Sequence, residues 1–129
     1  MKKKIVILVG MVLTVTLAIL IFTLVIPEMN YEKVRNMEIN NVDLEKVNDG
    51  TYNGKYTYGH YTYQVEVTVK NHEIKSIDVI NGRVSEHAKA AEGVLDNILT
   101  EQKIDVDVVS GATTTSKALL KAVENALRE

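Results

Sequence analysis

Tyr61-Thr-Tyr-Gln-Val-Glu-Val-Thr-Val69 decides the fold class. Tyr61, Tyr63, Val65, Val67 and Val69 occupy one parity, and Thr62, Gln64, Glu66 and Thr68 the other. In an extended chain that places every large apolar side chain on one face and every polar one on the opposite face. Asn71-His72 follows as a hairpin turn, since Asn tolerates positive φ, and Glu73 to Ile80 returns as a second strand that Asn81-Gly82 closes.

Upstream, Asp49-Gly50 and Asn53-Gly54 read as turn dipeptides flanking Thr51-Tyr52, and the Tyr-rich stretch through Tyr56 and Tyr58 suits strands joined by tight turns. The folded domain is expected to begin near Asp49. Downstream, Ser85 is a candidate N-cap for a helix from about Glu86 to Gln102, whose apolar face carries Ala88, Ala91, Leu95, Ile98 and Leu99. Ile104, Val106 and Val108 alternate with Asp105 and Asp107, predicting a short strand that leads into Ser110-Gly-Ala-Thr113. Leu119, Leu120, Val123 and Leu127 mark a final amphipathic helix. Strands and helices do not alternate as a doubly wound sheet requires, so the class is α+β: a small antiparallel sheet packed with two helices.

Ahead of this domain, Ile5 to Ile26 is a run of 22 residues without a charged side chain. That length spans the hydrocarbon core of a bilayer as a helix. Lys2, Lys3 and Lys4 place the N-terminus in the cytoplasm and the remainder outside it. A cleaved signal peptide is the competing reading, but Leu24-Val25-Ile26-Pro27 lacks a small-x-small site, so an uncleaved single-pass anchor in the cell membrane is expected. Pro27 is expected to end the helix. The organisation is therefore 1–27 Lys cluster and transmembrane anchor, 28–48 linker, and 49–129 extracytoplasmic domain.

The chain has no cysteine, which removes disulfides, lipoprotein anchoring, iron–sulfur ligation and c-type haem attachment. Flavin remains open as a redox group. Beyond the initial lysines, 12 Lys and Arg face 17 Asp and Glu, a net charge of −5 that argues against nucleic acid as a partner. His60, His72 and His87 lack the spacing of metal ligands, and turn or cap roles explain them. No nucleophile elbow or triad accompanies Ser110 or Thr113, so no residue is assigned as catalytic. Tyr52, Tyr56, Tyr58, Tyr61 and Tyr63 suit sheet surface and core, and one or two of them could pack against a flat cofactor ring.

The segment Asp107 to Ser116 sits between a predicted strand and a predicted helix. Unpaired N–H groups and the helix dipole there favour an anion, Gly111 permits close approach, and Thr113, Thr114, Thr115 and Ser116 offer hydroxyls. Hydroxyl residues also cap helices in any protein, so these features alone reach no further than a phosphate seat.

Asp107-x-x-Ser110-Gly111-Ala112-Thr113 resembles the signature of the FMN-binding domains found in subunits of sodium-pumping quinone reductases and Rnf-type complexes. Asp49-Gly-Thr-Tyr-x-Gly54, the Val-rich hairpin and the closing helices are similar to a compact form of that domain, over about residues 49–129. The resemblance implies that a flavin transferase, using FAD, esterifies FMN onto Thr113. Ser110, Gly111 and Ala112 would form the attachment loop, Thr114 would add a donor, and Asp107 would belong to the sequence the transferase reads. It implies an electron carrier that works with a membrane or envelope redox partner. A non-covalent FMN domain and a flavin-free envelope interaction module stay open beside it.

Overall fold

The structure is a computed structural model and describes residues 1–82 and 85–128, without the side chains of residues 26–30 and His87. The chain opens with a long apolar helix α1 (Lys2–Arg35), then forms three strands, β1 (Gly50–Tyr58), β2 (Tyr61–Lys70) and β3 (Glu73–Asn81). Helices α2 (Glu86–Ala91), α3 (Gly93–Glu101) and α4 (Thr113–Arg128) complete it. The strands form an antiparallel meander in the order β1-β2-β3.

The alternation of β2 translates directly into burial. Tyr63, Val65, Val67 and Val69 are buried, whereas Thr62, Gln64, Glu66 and Thr68 are half-exposed on the other face. The β2–β3 turn is the expected one, with Asn71 at φ 53° and His72 at φ 61°. Both central residues at positive φ match the right-handed twist of the flanking strands. Asp49 Oδ1 accepts a 2.7 Å bond from the Asn71 N–H, and the His72 ring nitrogen Nδ1 lies 3.1 Å from Leu44 O, so side chains pin this turn from outside.

Helix α4 covers the apolar face of β1 and β2. Ala118, Leu119, Leu120, Ala122, Val123, Ala126 and Leu127 are buried against the strands, as the amphipathic spacing requires. Asn53-Gly54 is not a turn: β1 runs through it without interruption. The glycine serves packing, since a Cβ at Gly54 would lie 2.0 Å from Ala122 O and 2.5 Å from Ala126 N. A turn dipeptide and a backbone-to-backbone contact ask for the same residue, and here the contact is the reason.

The predicted strand at Ile104–Val108 is absent. Ile104 and Val106 are buried and Asp105 and Asp107 exposed, so the alternation reports burial correctly. Its N–H groups find no strand: Asn41 Oδ1 accepts from Ile104 N at 2.9 Å and Asp105 N at 2.8 Å, and Val106 N closes a tight turn onto Ile104 O. The expected single helix Glu86–Gln102 is two, α2 and α3, meeting at Glu92. Ser85 caps the first as expected, its Oγ accepting from Ala88 N. Gln102, left-handed at φ 55°, ends α3 and exchanges two side-chain bonds with the backbone of Ile74, lacing the helix to β3.

Pro27 does not end α1, which continues to Arg35. A proline removes one helical bond, at a cost of about 3 kcal/mol, but does not forbid a resumed helix that is held elsewhere. The last turn is held by packing, because Val34 is 2% exposed within the domain core. The stretch read as a linker supplies Ile39 and Val47 to the same core. Residues 2–25 have the length and composition of a membrane anchor or a signal sequence.

Glu124 ties this N-terminal stretch to α4. Its carboxylate is fully buried and accepts from the Asn40 N–H at 3.2 Å, with Lys121 at 3.1 Å and Arg128 at 2.8 Å. Burial works against ionisation, but the Asn40 and Lys121 bonds outweigh it and hold the carboxyl below its ordinary value. A depressed folded value contributes stability above the unfolded pKa, and that stability is lost as pH falls through the folded value.

Two outcomes follow for the detergent-solubilised full chain. Gly54→Ala is expected to lower unfolding free energy by about 3 kcal/mol, since backbone rather than a flexible side chain must move; a change near zero in chemical denaturation would contradict the close approach. Glu124→Gln is expected to cost about 1–3 kcal/mol at neutral pH. That deficit should shrink as pH is lowered below the unfolded carboxylate value, so that wild-type and variant denaturation midpoints converge in acid.

Candidate functional site

Three segments meet at the N-terminus of α4. The first is Gly111-Ala-Thr-Thr-Thr115, the second is Tyr58 at the end of β1, and the third is the last turn of α1, with Tyr31 and Arg35. Together they line a cleft of ≈ 430 Å³, within the range of small-molecule sites. The close packing of α4 along β1 brings the start of the helix level with Tyr58, because Asn125 near its far end donates to Lys55 O.

The loop geometry follows from its sequence. Gly111 adopts φ +80°, and nothing lies within 4 Å of where its Cβ would be, so glycine is required there for conformation and not for space. Ala112 N donates to Val109 O and Ala112 O accepts from Ser116 N, which starts the helix. Ser116 is buried and its Oγ accepts from Val109 N at 3.3 Å, bracing the loop from beneath. The N–H groups of Thr113, Thr114 and Thr115 precede the first intrahelical bond, and such groups have no helical partner. Thr113 and Thr114 are half-buried, whereas Thr115 is buried.

Aromatic rings form the other wall. Tyr31 meets Tyr58 edge to face, with centroids 5.8 Å apart and planes at 73°. Tyr58 and Tyr63 lie nearly parallel, 7° apart, at 5.8 Å. Burial pushes the Tyr58 phenol up, beyond the usual tyrosine range; the neighbouring Tyr63 hydroxyl adds to this, and a bond from the Thr115 hydroxyl pulls against it. Tyr58 is therefore neutral at any physiological pH. The Tyr63 hydroxyl is buried and, among the described residues, has no partner of hydrogen-bond geometry.

Of the residues singled out in the sequence, Gly111, Ala112, Thr113 and Thr114 line the cleft. Ser110 and Asp107 are exposed on the approach to it and do not line it. Among the tyrosines, Tyr58 reaches the cleft, while Tyr52 donates to Asn48 O and serves β1. His60 and His72 sit in the two hairpin turns, and His87 lies outside the described side chains. Tyr31 and Arg35 were missed because Pro27 was read as a stop. Their i,i+4 spacing, which puts them on one face of a continuing helix, was the available signal.

The donor set suits a phosphate with a flat ring attached: free N–H groups at a helix start, hydroxyls, one guanidinium, and tyrosine faces beside them. Residues 58–128 match the family model described as FMN-binding domain. The chain belongs to the FMN-binding domain family. The match begins at the cleft residue Tyr58 and includes the whole Gly111–Thr115 loop. Family membership implies FMN as the cofactor.

Two relatives add context. The chain is 36% identical over 97 residues to an NADH:acrylate oxidoreductase of Vibrio harveyi, covering 72% of this chain and 9% of that protein. It is 33% identical over 86 residues to an uncharacterized protein of Treponema pallidum (strain Nichols), covering 65% of this chain and 24% of that one. The chain thus spans less than a quarter of the length of either relative.

Gly111→Ala tests the loop. The missing clash predicts a folded protein, and the left-handed backbone predicts a loss of about 1–2 kcal/mol in urea unfolding. A neutral result would show that the loop relaxes out of that conformation.

Proposed function

We propose that this FMN-binding domain is a membrane-anchored, extracytoplasmic electron carrier whose FMN is joined through its phosphate to Thr113 Oγ1. The observation that carries the reading is the place of Thr113: the first residue of α4, half-buried, and one of the residues lining a cleft walled by Tyr31 and Tyr58. When bound, FMN supplies one- and two-electron chemistry that no side chain here can perform.

The attachment balances without redox change. Thr113 Oγ1 forms a bond to the FMN phosphorus of FAD, the pyrophosphate bond breaks, AMP leaves, and the hydroxyl proton is released. A flavin transferase would carry this out, reading Asp107 and Ser110, which are exposed where an enzyme can reach them. Gly111 and Ala112 shape the turn that presents the hydroxyl, and the N–H groups at the helix start, with Thr114, face the phosphodiester charge. Tyr58 and Tyr31 offer aromatic surface and exclude water from one side of the cleft.

An anchor reading fits the geometry of the chain. Tyr31 follows Val25 by six residues, and a segment of that length spans at most ~20 Å even when fully extended. A cleft that includes Tyr31 therefore stays close to the membrane surface if residues 2–25 cross the bilayer. Such proximity suits exchange of electrons with a membrane or envelope redox partner. The likeness to a segment of a protein named as an NADH:acrylate oxidoreductase is in keeping with a redox role. Under this reading residues 1–27 anchor the chain and 49–129 carry the flavin, with 28–48 joining them.

The test is the intact mass of the denatured full chain, co-expressed with a flavin transferase. The expected outcome is a mass gain of FMN less water in the wild type and none in Thr113→Ala. Flavin released on denaturation would make the domain a non-covalent FMN binder. A colourless, unmodified chain would favour a flavin-free interaction module.

A further inference from the structure

We propose that Arg35, at the end of the long apolar helix, is the countercharge of the phosphate carried at Thr113, so that the last turn of α1 is part of the flavin site. This rests on the reading of Thr113 as the attachment residue. It goes beyond the family match, which begins at residue 58 and leaves the whole of α1 outside it.

Four observations converge on Arg35. Among the described residues that line the cleft it bears the one charged side chain, and the loop beside it offers hydroxyls and N–H groups that precede the first helical bond. Among the described residues, its guanidinium has no ion pair and no hydrogen bond, whereas the cations further along α4, Lys117, Lys121 and Arg128, are committed to Met37 O and Glu124. The turn that presents it is fixed by the buried Val34 and by the ring of Tyr31 against Tyr58. Finally, the part of the chain beyond the initial lysines is net acidic, 12 basic against 17 acidic side chains, so an added phosphodiester meets a repulsive background unless a cation is placed beside it.

A basic residue in the last turn of a helix commonly answers the helix dipole, and Lys33 and Arg35 both do so. The dipole does not distinguish the two. Lys33 lines another hollow, with Tyr56, Thr57 and Gly59 and on the other side of the shared wall residue Tyr58, and only Arg35 of the pair lines the Gly111–Thr115 cleft. Guanidinium is also the group whose planar fork matches phosphate oxygens. Arg35 is exposed, so the pair is screened and contributes little to stability. Its consequence is position: the phosphate is held against the helix start instead of swinging with the Thr113 side chain.

The test uses the full chain in detergent, loaded with flavin by co-expression, with loading verified by intact mass. The reading is the ³¹P resonance of the linked phosphate in wild type, Arg35→Gln, Arg35→Lys and Lys33→Gln, against the urea-unfolded chain as reference. Expected is a shift of the Arg35→Gln resonance toward the unfolded position, an intermediate position for Arg35→Lys, and no shift for Lys33→Gln, with thermal unfolding unchanged across the set. A resonance unmoved in Arg35→Gln, or moved equally in Lys33→Gln, overturns the proposal. Should Arg35→Gln unfold, Arg35→Lys decides, and a wild-type resonance in that variant counts against the guanidinium. A wild-type chain that carries no flavin instead overturns the attachment reading and this proposal together.

Discussion

Everything in this small domain is indexed to the contact between α4 and β1 at Gly54. A three-stranded sheet has one apolar face to cover and too little width to share among several helices, so one helix must lie close and stay in register. The absence of a Cβ at Gly54 lets the backbone of Ala122 and Ala126 come against the strand, nearer than any side chain would permit. With the helix fixed there at mid-strand, its first turn falls beside Tyr58 at the end of β1. The position of Thr113 is thus set some ten residues away from it, by the packing of small residues and not by the loop that carries it.

The second constraint is the polar node under α4. Glu124 is fully buried; Asn40 and Lys121 sustain its ionisation against that burial, and Arg128 bonds it as well. Lys117 donates to Met37 O one turn earlier along the same helix. These bonds satisfy a stretch of chain with no regular structure, and they explain why residues 36–43 follow the helix surface. A buried carboxylate is a weak source of net stability but a strong source of specificity, because leaving any partner out exposes its cost. Here the register it specifies is that of the α1 extension, and hence of Tyr31 and Arg35 at the cleft.

The sheet was legible because β2 buries one face and wets the other, so a period of two survives in the residues themselves. The family was legible through the resemblance of Asp107 to Thr113 to a known signature, and the physics of that loop alone went no further than a phosphate seat. What was misread shares one cause: local chemistry admits more than one use. Gly54 suits a turn and a helix contact equally. Ile104–Val108 alternates because alternate residues are buried, yet Asn41 supplies its hydrogen bonds and no strand does. Pro27 weakens a helix, and only the distant burial of Val34 reveals that the helix resumes. Each of these depends on residues far away in sequence, which no window along the chain contains.

That last misreading bears most on how the site is built. With α1 ended at Pro27, the cleft would have two walls, the threonine loop and the tyrosines of the sheet, and its aromatic side would lack an edge-on partner for Tyr58. Carried to Arg35, the helix adds Tyr31 as that partner and a free guanidinium opposite the helix start. Under the proposed reading, the same continuous element would serve at one end as an apolar span and at the other as part of the cofactor's surroundings. With residues 2–25 in a bilayer, as proposed, a flexible tether would leave the height of the cleft above the membrane variable, whereas a helix whose last turn is buried in the domain would restrict it. For a carrier of the proposed kind, exchanging electrons with a partner in or on the membrane, the anchor would then be part of the geometry of transfer as well as a means of retention.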